Sequence, residues 1–474
     1  MADGVTPLGT PARPLRVAIV GAGPTGYYAA EHLFRRPELT VEIDMFDRLP
    51  TPYGLVRGGV APDHQKIKAV TAAFDKIAAH SGFRFFGYVE LGKDLTVDDL
   101  RAHYHQIVYS TGAQTDRRMG VPGEDLRGSH PATEFVAWYN GHPDYRDCQF
   151  DLSVERVAVV GVGNVAIDVA RILCRTPEEL AKTDIAEHAF EALRKSRIRE
   201  VYLLGRRGPA QAAFTNPEIK EIGEMAGADV VVSPEEAELD ELSRAALERT
   251  QDRATMKKVE ILKSYADRPL SGKSRILSVR FLVSPVELRG DDAGAVVGMR
   301  LVRNQLYATP TGTLQPKATD RFEDLDVGLV FRSVGYRGVP LPGVPFNESW
   351  GVILNEKGRV MDPASRQPRL GEYTGGWIKR GPSGVIGTNK PDALETVECM
   401  MDDLAQGKTL EPEAADGAAA ERMVRQRQPL YLSYQDWQAL NEIEVRRGRE
   451  QGRPRVKFTR VDEMLAALGR DRAS

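Results

Sequence analysis

The sequence predicts an α/β protein that contains two Rossmann-like nucleotide-binding domains. Two copies of a dinucleotide-binding fingerprint carry this prediction, one in residues 16–47 and one beginning near residue 156. Each copy places a buried-strand run before a glycine-rich turn and a helix, which is the order that nucleotide binding requires. The length agrees, because 474 residues are too many for a single hydrophobic core.

The first fingerprint begins with the apolar run of residues 17–20, which predicts a buried parallel strand. Gly21 allows the tight turn that follows, Gly23 lets the backbone approach a pyrophosphate, and Gly26 lets the next helix pack on the strand. The helix directs its positive N-terminus at the phosphates. A second strand ends on Asp47, about 20 residues further on, where such units bind a ribose hydroxyl.

Composition limits the classes of protein that the chain can represent. A net charge of -3 with 42% hydrophobic residues is typical of a globular protein and argues against a general nucleic-acid or membrane binder. No apolar run approaches the roughly 18 residues that a spanning helix needs. Residues 1–14 are expected to form a loose tail and not a signal or transit peptide. We therefore expect a cytoplasmic protein.

The cysteines exclude two kinds of redox centre. The three are widely spaced, at Cys148, Cys174 and Cys399, with no Cys-x-x-Cys pair. This excludes a redox dithiol of the usual spacing and a Cys-ligated iron–sulfur cluster. Scattered thiols suit a reducing compartment, and the eight scattered histidines suggest no metal site.

A proline- and glycine-rich segment, residues 49–64, follows Asp47 and is expected to run irregularly along the bound ligand. Beyond it the pattern predicts a helix over residues 65–80, a strand over 83–89, a helix over 97–104 and a strand over 106–110. Gly112 follows the last of these strands. It either lets the backbone pass close to a cofactor or marks a plain turn.

The second fingerprint contains a strand over residues 157–160, then Gly161, Gly163 and the small residue Ala166, and a helix through Leu173. Two fingerprints imply two nucleotides or one domain inserted into another. The next strand, residues 200–204, arrives late, so a polar helical insertion is expected over residues 176–196.

The end of that strand predicts the second nucleotide, because Arg206 and Arg207 stand where the first unit has an acid. An acid would repel a 2′-phosphate, whereas guanidinium groups can bind it with charge-assisted hydrogen bonds. The alternative is two solvated surface arginines. We interpret the first unit as a site for an unphosphorylated ribose, as in FAD, and the second as a site for NADP(H).

Several weaker patterns lie between the second fingerprint and residue 306. Asn216 is expected to cap a helix on which Glu218 and Glu221 share a face, most simply a solvated one. Residues 275–306 predict a small antiparallel sheet. A basic row, Arg249, Arg253 and Lys257, has the spacing of one helix face and is either solvated or a partner-docking stripe.

The last third of the chain is expected to be ordered. Residues 327–331 read as a buried strand, and the glycine-rich residues 375–388 lead into a helix from about Pro391. Ser433 resembles the start of a capping box, and residues 461–468 predict a final helix.

Motifs spread over residues 16–468 make the chain resemble the adrenodoxin reductase type of ferredoxin–NADP⁺ reductase. These are Gly54-Leu55-Val56-Arg57, Ala61-Pro62-Asp63-His64, Asn164-Val165-Ala166, Asp168-Val169-Ala170-Arg171, Gly205-Arg206-Arg207-Gly208-Pro209 and Gly376-Trp377-Ile378-Lys379-Arg380-Gly381-Pro382. The resemblance implies a glutathione reductase-like fold in which the NADP domain is inserted into a discontinuous FAD domain. It implies an FAD-binding domain of residues 1–115 and 327–474 and an NADP(H)-binding domain of residues 116–326.

The resemblance also implies roles for particular residues. The residues that it assigns to FAD are Gly21, Gly23, Pro24, Gly26, Asp47, Gly54, Leu55, Val56, Gly112, Trp377, Gly384, Val385 and Ile386. Those assigned to NADP(H) are Gly163, Asn164, Val165, Arg206, Arg207, Glu218, Trp377 and Gly384. His64 and Glu221 lie near the nicotinamide and are expected to position it.

The implied activity is hydride transfer from NADPH to N5 of FAD, followed by single-electron transfer to a small, acidic ferredoxin-type iron–sulfur protein. We expect a local basic docking face, no metal, no nucleic-acid partner and a monomer. The rival enzymes are a flavin-dependent monooxygenase, whose Phe-x-Gly-x-x-x-His signature is missing, and a disulfide reductase, whose Cys-x-x-Cys is missing. A rival of another class is a flavoprotein that binds NADPH as a redox sensor.

Overall fold

The computed structural model describes residues 6–470, so residues 1–5 of the predicted N-terminal tail lie outside the described residues. The rest of that tail is not loose. The backbone N–H of Thr40 donates to the Gly9 carbonyl at 2.7 Å, and Gly9 packs against Leu39.

Strands and helices alternate through most of the chain. The strands are β1 (Leu15–Val20), β2 (Val41–Asp47), β3 (Phe83–Gly87), β4 (Gln106–Tyr109), β5 (Thr115–Asp116), β6 (Ser129–Pro131), β7 (Arg156–Val160), β8 (Glu200–Leu204), β9 (Ala228–Val232), β10 (Arg275–Arg280), β11 (Val283–Gly290), β12 (Val296–Ala308), β13 (Leu314–Leu325), β14 (Leu329–Arg332), β15 (Tyr336–Arg337), β16 (Phe346–Asn347), β17 (Val352–Ile353), β18 (Asn355–Glu356), β19 (Arg359–Met361) and β20 (Pro368–Thr374). The helices are α1 (Pro24–Phe34), α2 (Leu55–Gly58), α3 (Gln65–Lys68), α4 (Thr71–Ala78), α5 (Val97–Arg101), α6 (Ala132–Tyr139), α7 (Asn164–Cys174), α8 (Pro177–Leu180), α9 (Glu187–Leu193), α10 (Asn216–Ile222), α11 (Pro234–Ala237), α12 (Glu241–Thr250), α13 (Arg253–Ala266), α14 (Trp377–Arg380), α15 (Asn389–Ala405), α16 (Gly417–Arg427), α17 (Tyr434–Glu450) and α18 (Val461–Ala467).

The first sheet has seven strands in the order β18-β19-β20-β4-β1-β2-β3. The five strands from β20 to β3 are parallel, and β18 and β19 pair antiparallel at one edge. The sheet is assembled from both ends of the chain, because β1–β4 precede residue 110 and β18–β20 follow residue 354. Apolar side chains are buried on both of its faces, as a parallel sheet covered by helices requires.

The second sheet has six parallel strands in the order β6-β14-β7-β8-β10-β9, all from the middle of the chain. A three-stranded antiparallel sheet, β11-β12-β13, packs against it through a separate apolar cluster. Two Rossmann-like units with the second inserted into the first confirm the predicted fold class.

Two strands belong to the second sheet, although the sequence predicted other positions for them. β10, expected in the antiparallel sheet, pairs in parallel with β8 and β9. β14 pairs with β6 and β7, although the expected boundary at residue 327 assigned it to the FAD domain. A short apolar run predicts a strand but does not identify its partners, which is why neither position was visible in the sequence.

The helix ends differ from the predictions in several places. The helix expected over residues 65–80 is divided into α3 and α4. α10 begins after Thr215, and the Asn216 side chain donates to the Ala254 carbonyl at 3.0 Å instead of capping the helix. The capping box at Ser433 is confirmed, with Asp436 as its acidic partner.

The basic row does not lie on a single helix. Gln251 has a φ of +50°, which ends α12, and the side chain of Asp252 caps α13. Arg249 therefore lies on a different helix from Arg253 and Lys257. Within residues 6–470, none of the helices is both long enough and apolar enough to cross a bilayer.

Candidate functional site

The first glycine-rich turn has the geometry of a phosphate-binding turn. Gly21 has a φ of +105°, and a Cβ there would lie 2.6 Å from the Ser110 carbonyl oxygen, so a side chain is excluded. Gly26 is equally confined, because its Cβ would lie 2.5 Å from the Gly21 carbonyl oxygen. At Gly23, by contrast, a Cβ would meet no protein atom within 4 Å. The open space lies at the glycine that is expected to face a pyrophosphate.

A loop after the second strand covers this turn. The N–H of Tyr53 donates to the Ala22 carbonyl at 2.8 Å, and a Cβ on Gly54 would lie 3.0 Å from the Cα of Gly23. The next residues form the short helix α2, in which Val56 is buried while Leu55 keeps 47% of its surface exposed. An exposed leucine beside an open phosphate turn offers an apolar contact to a ligand.

Asp47 ends the second strand of this unit, as predicted. Its carboxylate accepts the N–H groups of Ala22 and Leu49 at 2.8 and 2.9 Å. Burial raises the pKa of Asp47, and these two hydrogen bonds act in the opposite direction. The acid therefore links the end of the strand to the glycine turn and stabilises its shape.

Two glycine-rich segments reach the same end of the first sheet. Gly112 follows β4 with a φ of +74° and open space at its Cβ position. Gly376 follows β20 and packs on Thr25 at the start of α1, where a Cβ would lie 2.3 Å from the threonine hydroxyl. The Gly376 contact places its segment beside the first turn, and the N atom of Thr111, next to Gly112, lies 3.0 Å from the Cβ position of Gly21. Pro24 is at the first position of α1.

Trp377, at the start of α14, contacts the short strand β15. The Trp377 ring stacks on Tyr336 with centroids 5.9 Å apart, and its indole N–H donates to the Ser383 carbonyl at 3.1 Å. Gly384 has a φ of +79° and packs on Thr388, and Val385 is largely exposed. A short 3₁₀ turn, Ile386–Thr388, leads into α15.

The second turn repeats the geometry of the first. Gly161 has a φ of +134°, and its Cβ would lie 2.2 Å from the Ser333 carbonyl oxygen, whereas Gly163 again has open space. Asn164 begins α7, and its side-chain oxygen accepts the N–H of Thr215 at 2.9 Å. Val165, next to it, packs against the core of the second sheet. Asn164 thus connects the turn to the start of α10.

Arg206 and Arg207 follow β8 and are available to an anion. Among residues 6–470, neither guanidinium makes an ion pair or a side-chain hydrogen bond with another residue. Burial, and then the neighbouring charge of Arg206, lower the pKa of Arg207. Two adjacent cations without a carboxylate partner fit a doubly charged phosphate well.

His64 and Glu221, predicted from opposite units, meet between the two sheets. The His64 Nε2 atom lies 2.8 Å from a Glu221 carboxylate oxygen. Burial is the largest single influence and would lower the pKa of His64, but the hydrogen bond to Glu221 and the negative charges of Asp168 and Asp63 together outweigh it, and the net shift is upward. The same hydrogen bond lowers the pKa of Glu221. The pair is therefore stabilised as imidazolium and carboxylate.

Arg171 organises the acids around this pair. Its guanidinium, with 0% of the side chain exposed, donates to Asp63 at 2.8 and 3.0 Å, to Asp168 at 2.7 Å and to Glu218 at 3.2 Å. It also lies 3.5 Å from His64 Nδ1. Glu218 is buried, so the solvated face expected for it is wrong. Burial raises the pKa of Glu218, which is a predicted NADP(H) ligand.

Sequence reasoning did not identify Arg171, Asp63 or Asp168 as site residues. All three lie in the motif runs quoted above, and Asp168 and Arg171 are three apart on α7, which places them on one face. The pairing of Arg171 with Asp63 joins positions 108 residues apart in sequence. No local pattern reports such a contact.

The donor set fits two nucleotides better than a metal ion. Ligand atoms of His64, Asp168 and Glu218 lie within 4.8 Å of one another. Arg171 already bonds both of these acids and supplies the compensating positive charge. The open positions at Gly23 and Gly163, each before a helix without a side-chain cap, match two phosphate groups.

Comparison with known proteins finds relatives along almost the whole chain. The family described as pyridine nucleotide-disulphide oxidoreductase matches residues 15–226. A "Probable ferredoxin/ferredoxin--NADP reductase" of Mycobacterium bovis is 46% identical over 461 residues, which cover 96% of this chain and 76% of that protein.

Two further relatives extend the comparison to a plant and to a solved structure. The "NADPH:adrenodoxin oxidoreductase, mitochondrial" of Arabidopsis thaliana is 39% identical over 465 residues, covering 96% of this chain and 95% of that protein. The structure of Mycobacterium tuberculosis FprA in complex with NADPH superimposes with a TM-score of 0.90 at 42% identity, covering 96% of this chain and all of that one.

Proposed function

The chain belongs to the ferredoxin–NADP reductase family of the adrenodoxin reductase type, and we propose that it oxidises NADPH and passes the electrons singly to a ferredoxin-type iron–sulfur protein. It is an oxidoreductase of this type, with FAD and NADP(H) as its cofactors. Bound FAD supplies the chemistry, because a flavin takes two electrons as a hydride and can release them one at a time.

One observation supports the proposal more than any other. Two phosphate-binding turns with the same backbone geometry are followed by opposite charges, Asp47 in one unit and Arg206 and Arg207 in the other. A carboxylate tolerates an unphosphorylated ribose and repels a 2′-phosphate, whereas paired guanidinium groups bind one. The chain is therefore suited to hold one FAD and one NADPH, each in its own unit.

The residues proposed to hold FAD surround the first turn. The backbone at Gly21, Gly23 and Gly26 would receive the pyrophosphate, with Pro24 at the start of α1 and Asp47 at the ribose. The apolar and glycine-rich contacts come from the converging loops, namely Gly54, Leu55, Val56, Gly112, Trp377, Gly384, Val385 and Ile386.

The residues proposed to hold NADP(H) follow the second turn. Gly163, Asn164 and Val165 would meet the pyrophosphate at the start of α7, and Arg206 and Arg207 the 2′-phosphate. Trp377 and Gly384 would lie near the nicotinamide as well as the flavin, because Trp377 stacks on Tyr336 of β15, the strand that follows β14 of the second sheet. Glu218, on α10, would also contact the bound NADP(H).

His64 and Glu221 are proposed to orient the nicotinamide and not to transfer protons. Their hydrogen bond joins the segment after the FAD-binding loop to α10 of the second unit. Arg171, through Asp63 and Glu218, restrains both partners. A fixed pair in this position would hold the ring at one angle and limit the entry of water.

The domain limits are proposed from the strand pairings. β5 and β15 pair antiparallel and carry the chain between the two sheets. We place the first boundary near residue 115. The second falls after Arg332, a few residues beyond the predicted 327, since β14 belongs to the second sheet. The FAD-binding domain then comprises residues up to 115 and from 333 onward.

The partner is proposed to be acidic, and the protein a monomer in the cytoplasm. Arg249, Arg253 and Lys257 are exposed and remain candidates for the docking face. They lie on two helices, Arg249 on α12 and the other two on α13. Lys257 also pairs with Glu260 at 3.0 Å, so part of its charge is already compensated. The three cysteines are free thiols, in keeping with a reducing compartment.

Electron delivery through an added ferredoxin tests the proposed function. The purified protein, supplied with NADPH, should reduce cytochrome c at a rate that rises with ferredoxin concentration and saturates. A redox sensor should pass few electrons on, and a monooxygenase should consume oxygen with an organic substrate instead. Ferredoxin-independent rates would reject the proposal.

A further inference from the structure

Helix α17 lies in the C-terminal part of the chain, outside both fingerprints, and contacts the loop that covers the first glycine turn. Its start is fixed by the Ser433–Asp436 capping box and by an ion pair between Asp436 and Arg470 at 2.8 Å. Trp437 and Glu444 lie on its buried face. Both residues contact the segment of residues 53–57.

The loop of residues 53–57, which runs into the first turn of α2, begins in a conformation that local preference opposes at Tyr53. Tyr53 has a φ of +83°, in a region that bulky residues rarely occupy, and Gly54 follows with a φ of +50°. The same two residues rest on Ala22 and Gly23 of the glycine turn. A strained conformation of this kind persists only where surrounding structure holds it in place.

The side chain of Tyr53 is held by three partners. The indole N–H of Trp437 donates to the Tyr53 hydroxyl at 3.2 Å, and the two rings meet edge to face with centroids 5.7 Å apart. Tyr434 lies 2.9 Å from the same hydroxyl, and Asp75 accepts from both tyrosines. Two of the three partners belong to α17.

The other end of the loop is held by charge. Arg57 donates to both carboxylate oxygens of Glu444, at 2.9 and 2.5 Å, and its guanidinium lies over the Trp437 ring at 5.0 Å. Only 1% of the Glu444 side chain is exposed. Its oxygens also accept from Arg455 and from the N–H of Phe458. A buried carboxylate with these partners is a rigid anchor for Arg57.

We propose that α17 is the element that holds the FAD-binding loop closed over the first glycine turn, with Trp437 and Glu444 as positioning residues at the two ends of the loop. Leu55 and Val56, which lie between the two anchors, are thereby kept at the flavin site. The inference rests on the proposed binding of FAD by the first unit. Because FAD binds the closed loop, its apparent affinity falls with the fraction of apoprotein in which the loop is closed.

Glutamine at position 444 tests the anchor, with a matched control on the same helix. In Glu444→Gln an amide NH₂ faces a guanidinium in either orientation, because Arg57 contacts both oxygens. Glu442→Gln makes the same chemical change at an exposed position two residues earlier on the same helix. The full-length apoprotein is titrated with FAD, and binding is read from the quenching of flavin fluorescence.

We expect Glu444→Gln to weaken FAD binding about 10-fold or more, equivalent to about 1.4 kcal/mol. Glu442→Gln should match the native protein, and the affinity of Glu444→Gln for NADP⁺ should be unchanged. If Glu444 served only the stability of the tail, the variant would unfold at a lower urea concentration yet bind FAD normally. That result would overturn the proposal.

Trp437→Phe provides a milder test. It keeps an aromatic ring near Tyr53 and Arg57 but removes the indole donor and part of the buried ring volume, so it should fold and lose FAD affinity about 2- to 10-fold. An Arg57→Gln/Glu444→Gln double variant should bind FAD better than the two single losses combined predict, because it removes both charges of the buried pair together and leaves only the partly exposed Arg455 without its carboxylate partner. Additive losses would count against the anchor. Failure of the native chain to bind FAD would instead reject the proposed function.

Discussion

The two nucleotide-binding units of this chain share a backbone and differ in the residues that end their second strands. Gly21 and Gly161 both have positive φ angles, and each packs on the carbonyl of a residue that follows a neighbouring strand. Gly23 and Gly163 are both open, and each precedes an 11-residue helix without a side-chain cap. The backbone alone would therefore bind either dinucleotide.

The side chains after the second strand differ in charge and in whether they already bond to other protein groups. Asp47 accepts two backbone N–H groups and is part of the turn that it follows. Arg206 and Arg207 have no side-chain ion pair among residues 6–470 and are free to bind a ligand. The comparison indicates that backbone shape selects a dinucleotide, whereas two or three side chains select which one.

Alanine substitutions at the first and second glycines of each turn should distinguish residues needed for folding from residues needed for nucleotide binding. The largest expected loss of stability is at the first glycine. Gly21→Ala should destabilise the apoprotein by about 2–5 kcal/mol, about 1–2 from the positive φ and about 1–3 from the clash with Ser110. Gly161→Ala should behave alike in the second unit. The free energy of unfolding is measured by urea denaturation.

Gly23→Ala and Gly163→Ala serve as the matched controls. Their new methyl groups meet no protein atom, so the apoprotein should unfold within about 0.5 kcal/mol of native. Gly23→Ala should nevertheless bind FAD poorly, and Gly163→Ala should bind NADP⁺ poorly. Equal destabilisation at the first and second glycines would contradict the assigned geometry.

Arg206→Ala tests the charge difference between the units. The KM for NADPH should rise about 10- to 100-fold with little change in kcat, since a charged hydrogen bond contributes about 1.5–3 kcal/mol and the 2′-phosphate is remote from the hydride. The KM for NADH should hardly change. Steady-state ferricyanide reduction with each cofactor measures both values. Equal losses with NADPH and NADH would rule out phosphate recognition by Arg206.

The pair that joins the units should respond to pH in a defined direction. His64 has a raised pKa, so its contribution to stability is complete below its ordinary value of 6.5 and is lost as pH rises through its higher folded pKa. Glu221 has a lowered pKa, so its contribution is complete above 4.5 and is lost as pH falls through its folded pKa. The loss of stability caused by Glu221→Gln, measured as the free energy of unfolding, should be largest between pH 4.5 and 6.5.

NMR titration of the His64 ring provides the direct measurement. Its pKa should fall in Glu221→Gln and stay at the native value in Glu224→Gln, which changes an exposed glutamate just beyond the same helix. An unchanged His64 pKa in Glu221→Gln would mean that the two residues are not coupled in solution.

Charge reversal at Arg249, Arg253 and Lys257 is expected to have the smallest effect. The triple variant should weaken ferredoxin-coupled activity and reduce its dependence on salt, because exposed charges mainly guide association. Ferricyanide reduction should be spared, since that small acceptor needs no docking surface. Equal changes in the two assays would discard the docking role of this row.

Local signals explain most of what could be predicted from the sequence. The strand over residues 200–204 was predicted at its observed bounds, and Arg206 was recognised because it follows the end of that strand. Asp47 was recognised from its distance to a glycine turn, and the capping box from the spacing of Ser433 and Asp436. Asp47 and the capping box depend on residues within about 20 positions of one another.

The parts that were missed depend on long-range contacts. Asp63 meets Arg171, and Tyr53 meets Trp437, across more than 100 positions of sequence. The left-handed Gln251 divides a helical pattern whose charges looked continuous. β10 and β14 were recognised as strands but not assigned to the right sheet, because apolar periodicity does not specify a neighbour.

Anaerobic reduction of the purified protein by NADPH and by NADH measures whether the second unit selects the phosphorylated nucleotide. We expect a yellow protein whose visible flavin absorbance is bleached by NADPH at concentrations at least about 10-fold lower than those of NADH. A colourless protein that FAD cannot reconstitute, or equal bleaching by the two nucleotides, would contradict this expectation.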